Sequence, residues 1–273
     1  MSIIDYFQYD FIWRGFWVGL LVAILGSIIG HFLVLRKVAM IGHGLSHVAY
    51  LSVALTIVFF QQSLVFNLLF VSLVSLLIQF LVKRFPSYAD VVIGVISSTA
   101  VAIGTIIITT SPNQNVSVEQ YLFGSLLLLR PLDVWTMLLL GVGIVIFIGF
   151  FYQQLAALSF DQEFSQVVGI HNQRLELALT LLTSWLIILG IRSVGALLIS
   201  SFIMFPTLIS SPLSHSFKSS FVGGILVSIL VFIVGFLLSL GIDWPTGSTI
   251  IVIYSMTWIM SILYQRLIKE RRL

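Results

Sequence analysis

Apolar residues occupy this chain in long unbroken blocks, and polar residues serve as punctuation between them. Blocks fall at about 15–35, 38–60, 63–82, 90–110, 134–152, 174–191, 194–213, 220–241 and 246–265. A hydrocarbon core about 30 Å thick takes about 20 residues of α-helix to cross. Inside it every backbone N–H and C=O must be paired, and a helix does this within the segment itself. The pattern therefore predicts an all-α fold, a polytopic membrane bundle of nine transmembrane helices. Fusing the sixth and seventh blocks into one re-entrant element would leave eight.

Composition narrows the class further. With 59% apolar residues, 8% charged residues and a mean hydropathy of +1.14, the chain lies far outside soluble globular domains. The spans use up the length, so residues 1–273 are expected to form a single transmembrane domain with no soluble domain beside it. No cysteine is present, which excludes disulfides, thiolate metal sites and cysteine nucleophiles. The opening "MSIIDYFQYDFIWRGF" has no basic n-region and no small-residue cleavage site, so the first block is expected to stay in the mature protein.

The net charge of +3 is no nucleic-acid footprint, because the basic residues are strung out between apolar blocks. They report topology instead. With the C-terminal "YQRLIKERRL" in the cytoplasm, nine spans put the N-terminus outside. Arg36, Lys37, Lys83, Arg84, Arg174, Lys218, Arg266, Lys269, Arg271 and Arg272 then fall inside, and Arg14, Arg130 and Arg192 outside. Two connections exceed a turn. The outer one, 111–133, passes from a polar start to an apolar "YLFGSLLLL" too short to span, which suits an interfacial or re-entrant segment. The inner one, 153–173, contains Asp161 and Glu163 leading a short helix that stops at Gly169.

Ionisable residues deep in a span are costly and so point to function. Here they are His31, His43 and His47, at depths of roughly 8, 9 and 15 Å from the Arg36-Lys37 boundary. His43 and His47 are four residues apart and share a helix face, a spacing that suits a divalent ion such as zinc. The same imidazoles would also serve as hydrogen-bonding glue between helices. "HGLSH" lacks the glutamate of a zinc-protease H-E-x-x-H, which disfavours intramembrane proteolysis. Asp90 and Asp243 suit helix starts or turns, with Asp243 also placed to admit a cation at the outer side. Pro206 must break a backbone hydrogen bond within its span and marks a kink.

At the residue level the chain resembles a known family. "GHFLVLRKVAMIGHGLSHVAYLSVAL" is similar to the segment joining the first two spans of ABC-3 permeases, the membrane subunits of bacterial ABC importers for zinc and manganese. "ADVVIGVISSTAVAIG", "EQYLFGSLLLL", "LSFDQEFSQVVGI", "VGALLISSFIMFPTLISS" and "GIDWPTGSTIIVI" follow in the family's order. Ser46 and His47 match its Ser-His, while His43 stands where aspartate is usual. Imidazole in place of a hard oxygen ligand favours zinc over manganese.

The resemblance implies that 161–169 is the cytoplasmic coupling helix, with Asp161, Glu163, Phe164, Ser165 and Gly169 docking into an ATPase. Ser165 stands where the family tends to have alanine. It also implies a bacterial cytoplasmic-membrane location, a second copy of the chain, an ABC ATPase subunit and an extracytoplasmic metal-binding protein. The divalent metal is then substrate, with no permanently bound cofactor. Nothing in the chain resembles G-x-x-x-x-G-K-[ST], so the chain itself is expected not to be an enzyme and energy must come from a partner. Two other readings are a proton-coupled metal carrier, which calls for intramembrane carboxylates near the midplane, and a non-transporting scaffold in which the histidines only pack.

Overall fold

The computed structural model describes residues 8–60, 63–111, 131–160 and 172–270. These form the helices α1 (Asp10–Leu35), α2 (Met40–Phe59), α3 (Leu64–Arg84), α4 (Ala89–Thr110), α5 (Pro131–Phe160), α6 (Asn172–Val194), α7 (Ala196–Ser210), α8 (Phe217–Ile242) and α9 (Thr246–Glu270). Counting the 3₁₀ turns Pro86–Tyr88 and Ser211–Leu213 that extend α4 and α7, nine helices among the described residues are long and apolar enough to cross a membrane. The chain is a multi-pass membrane protein.

The sixth and seventh blocks are separate helices, and one residue divides them. Gly195 adopts φ 86° and ψ 162°, a region open essentially to glycine alone, and this lets α6 stop and α7 start with nothing else between them. Helix α5 runs on to Phe160, past the expected end at 152, because a helix need not stop where the lipid does. Pro206 lies inside α7, which continues through it to Ser210. Asp243 ends α8 in a left-handed turn at φ 56°.

Burial sorts the spans into two tiers. In α1, α2, α6 and α7, 61–72% of the most apolar stretch is buried within the protein, against 22–33% in α3, α4, α5, α8 and α9. Lipid tails are as apolar as leucine, so helices here are held by close packing and hydrogen bonds instead of a push out of water. The innermost pair, α1 and α7, meets where Gly26 and Gly30 face Phe202 and Ile203. The Ser228 hydroxyl donates to the Ala23 carbonyl at 2.8 Å and lies 2.9 Å from the Tyr254 hydroxyl, joining α8 to α1 and α9. Asn67 accepts from Ser52 at 2.7 Å and from Thr56 at 3.2 Å, joining α3 to α2.

Residues expected on one side of the membrane meet. Asp133 and Arg192, both expected outside, pair at 3.5 Å. Arg36 and Lys83, both expected inside, converge on Glu176 near the start of α6. By the same alternation, exposed Trp13, Trp17, Trp135 and Trp244 gather at the Asp133 end, as tryptophans do at a membrane–water interface. Most of the expected interfacial segment, and all of 161–169 with Asp161, Glu163, Phe164, Ser165 and Gly169, lie outside the described residues.

Candidate functional site

The site begins at the turn that launches α2. Helix α1 ends with Lys37 in the left-handed region at φ 60°. Its N–H donates to the Val34 carbonyl and that of Val38 to the Leu33 carbonyl, each at 3.0 Å. This doubly bonded cap fixes where α2 starts. His43 then lies at the end of the first turn of α2 and His47 one turn on, both half-buried.

The two Nε2 atoms stand 3.3 Å apart, with ring centroids 4.7 Å apart and ring planes at 87°. Two nitrogens bound at 2.0–2.1 Å to a tetrahedral ion are separated by about 3.3–3.4 Å, so the spacing already suits a shared ion. In its absence one Nε2–H can donate to the other ring. Binding an ion requires both Nε2 atoms bare, with the protons held on Nδ1.

The pair forms one wall of a cleft of about 470 Å³, and Ile93, Gly94, Ser97, Ser98, Val101 and Ala102 of α4 form the other. Helix α4 comes this close because Gly44 lacks a side chain: a Cβ there would sit 2.5 Å from Ile93 Cγ2 and 3.0 Å from Ser97 Oγ. Ser97 donates to the Ile93 carbonyl at 2.6 Å and is buried. Gly94, Ser98 and Ala102 recur every fourth residue and are exposed, and a Cβ on Gly94 would meet nothing within 4 Å. Among the described residues no three His, Cys, Asp or Glu side chains gather as a metal cage. Two imidazoles beside open space supply two ligands of a coordination shell and leave the rest of it open.

Ser46 faces the other way. Its hydroxyl donates to the His43 carbonyl at 2.7 Å and lies 3.3 Å from Ser200 Oγ, tying the histidine-bearing turn to α7. His31 is buried between α1, α7 and α8, with Nδ1 3.5 Å from Thr207 Oγ1 and its ring 4.9 Å from Phe217 and 5.4 Å from Phe221. It is not among the residues lining the cleft. Asp243 lies at the exposed α8–α9 turn, also outside the lining.

Two features escaped the sequence reading. One is the α4 wall, whose Gly94–Ser98–Ala102 spacing was the available signal. The other is a second cavity of about 500 Å³ lined by Arg36, Lys37, Gln79, Lys83 and Glu176 among others. Glu176 is only 1% exposed; Arg36 Nη2 donates to its Oε1 at 2.5 Å and the Lys83 ammonium pairs with its Oε2. Burial presses the Arg36 guanidinium below its ordinary range, and the Glu176 carboxylate pushes it back up. The signal for this cluster was an acidic residue inside an expected span.

Fold and site together define a class: a polytopic helical membrane protein with an unclosed two-imidazole site on an accessible cleft. The chain belongs to the ABC 3 transport family, whose family model matches residues 8–265. It is 28% identical over 255 residues to the high-affinity zinc uptake system membrane protein ZnuB of Buchnera aphidicola subsp. Acyrthosiphon pisum (strain APS), covering 93% of this chain and 97% of that one. It is 23% identical over 257 residues to the manganese transport system membrane protein MntC of Halalkalibacterium halodurans, covering 94% and 88%. In fold it resembles PsaBC from Streptococcus pneumoniae, solved in complex with Fab, with a TM-score of 0.86, 22% identity and 99% of each chain covered.

Proposed function

We propose that this chain is the permease subunit of an ATP-binding-cassette importer for a divalent metal ion, zinc first and manganese second. The observation that carries this is the His43–His47 pair, set at a tetrahedral ligand spacing on an accessible cleft in a chain of this family. Relatives named for zinc uptake and for manganese transport support the ion class. The chain has no nucleotide-binding loop of its own, so a separate ATPase subunit drives the cycle, docking at 161–169. An extracytoplasmic binding protein delivers the ion. A second copy of this chain packs on the open Gly94–Ser98–Ala102 stripe of α4 and closes the cleft. The C-terminus is cytoplasmic and the N-terminus outside.

A proton-coupled carrier would need a carboxylate free to relay protons. Among the described residues, Asp10, Asp90 and Asp133 sit in the first turns of their helices, and Glu176, one turn into α6, is committed to two cations.

The test is uptake of radioactive zinc and manganese, each alone, into proteoliposomes carrying the permease, its ATPase and its binding protein. ATP-dependent zinc uptake is expected from the wild type. His43→Asp restores a hard oxygen ligand and should shift the zinc-to-manganese uptake ratio toward manganese, on the order of tenfold. A ratio unmoved by this change would mean that His43 does not touch the ion. Deleting 161–169 should abolish ATP-driven uptake while zinc binding by the folded permease persists; intact uptake would refute the docking role.

A further inference from the structure

The Glu176 cluster has no part in the metal pathway just described. On the importer reading, we propose that Glu176 is a positioning residue that carries movement of the start of α6 through Arg36 to the histidine pair. Glu176 lies one turn into α6, which opens shortly after the segment at which the ATPase docks. Its two oxygens hold cations from two different places: Arg36 in the turn between α1 and α2, and Lys83 in the last turn of α3.

The path onward from Arg36 is stiff. Lys37 in its left-handed conformation and the two cap hydrogen bonds to Val34 and Leu33 make this turn a fixed elbow. Helix α2 starts at Met40, with His43 in the turn that follows. The Ser46 hydroxyl, bonded to the His43 carbonyl and set beside Ser200, pins this turn to α7. A pull on Arg36 therefore tilts the start of α2 about that pin and changes how the two imidazoles face each other and α4.

The two arms of the cluster differ. The Arg36 side chain is 15% exposed and that of Lys83 is 42% exposed. Water weakens the Lys83 arm far more than the Arg36 arm. The Lys83 arm can thus open while the Arg36 arm holds the α2 elbow, and α6 stays anchored to α3 further along, where the Trp185 indole N–H donates to Ser72 Oγ at 2.8 Å; the adjoining 500 Å³ cavity leaves room for the start of α6 to shift. Simple adhesion between helices would be served as well by apolar side chains. A shared carboxylate with one firm and one loose partner is suited to transmitting a displacement.

The experiment uses the complete transporter in proteoliposomes and compares wild type with Glu176→Gln, Glu176→Asp and Lys83→Gln. It measures zinc bound by the purified permease, ATP hydrolysed, and ATP spent per zinc ion moved. Glu176→Gln is expected to keep zinc binding and basal ATP hydrolysis within about twofold and to raise ATP per zinc on the order of tenfold. Glu176→Asp should recover part of the coupling, and Lys83→Gln should change it less than Glu176→Gln does. A ratio equal to wild type in Glu176→Gln, with uptake falling only in step with the folded fraction, would overturn the proposal. Should Glu176→Gln fail to fold, Arg36→Lys takes its place: it keeps the charge but loses the planar fork, and an unchanged ratio there overturns the proposal equally. Absence of ATP-driven uptake in the wild type would overturn the importer reading and this proposal together, whereas a coupled wild type beside an equally coupled Glu176→Gln removes this proposal alone.

Discussion

Gly30→Ala is expected to destabilise the protein by about 3 kcal/mol, the upper part of the range for overpacked cores, although it adds a single methyl group. A Cβ at position 30 would lie 2.7 Å from the Ile203 carbonyl carbon and 2.8 Å from its Cα, and would collide with its carbonyl oxygen. These are backbone atoms, which cannot swing aside as a side-chain tip can. One turn earlier, a Cβ on Gly26 would lie 2.8 Å from Phe202 Cβ, so α1 could relieve the clash only by parting from α7 along its length. Alanine's better helix propensity, worth up to about 1 kcal/mol, offsets part of the cost and no more. Gly143→Ala and Gly149→Ala are the controls, since a Cβ at either meets nothing within 4 Å. Thermal unfolding of the purified protein in detergent is the measurement. Coincident transitions for Gly30→Ala and Gly143→Ala would show that α1 and α7 are not in backbone contact.

His47→Ala is expected to reduce ATP-driven zinc uptake at least about a hundredfold, because outer-shell partners of metal ligands alone are worth up to that factor and His47 is proposed as a ligand itself. Removing it leaves His43 as one imidazole facing a cleft wall whose buried serine, Ser97, has its hydroxyl on the Ile93 carbonyl. The fold should survive, since His47 is half-buried at a cavity and its ring contact in the structure is with His43. Uptake near the wild-type rate would make the pair a packing feature and move the pathway elsewhere.

How far the sequence could be read depended on whether the constraint was local. The spans were legible because the bilayer imposes one length, and the ends at Leu35 and Thr110 fall where the hydropathy blocks end. The His43–His47 contact was legible because four residues on a helix always return to the same face. Its opposite wall was not: Ser97 and Ser98 are neighbours in sequence, yet one is buried against α2 and the other is exposed beside the cleft, and only the packing of α4 decides which. Glu176 was readable as an acid in an apolar block, but its partners come from positions 36 and 83, separations that no periodicity reports. Gly195 is one of 20 glycines in the sequence, and only its positive φ marks it as the whole connection between two spans.

The two tiers of burial also decide what the protein feels of its surroundings. Helix α7 packs against α1, α2, α6, α8 and α9 and buries most of its length, with Leu208 and Leu213 exposed near its end. Helices α3, α4 and α5 carry most of their apolar surface outward. At 30 residues, about 45 Å, α5 exceeds the hydrocarbon core and must tilt or project. Membrane thickness therefore acts first on the outer tier of helices. The cleft thus lies across the two tiers, with one wall on the outer helix α4 and its histidines on the inner helix α2, and the close packing of these two helices ties the site to both.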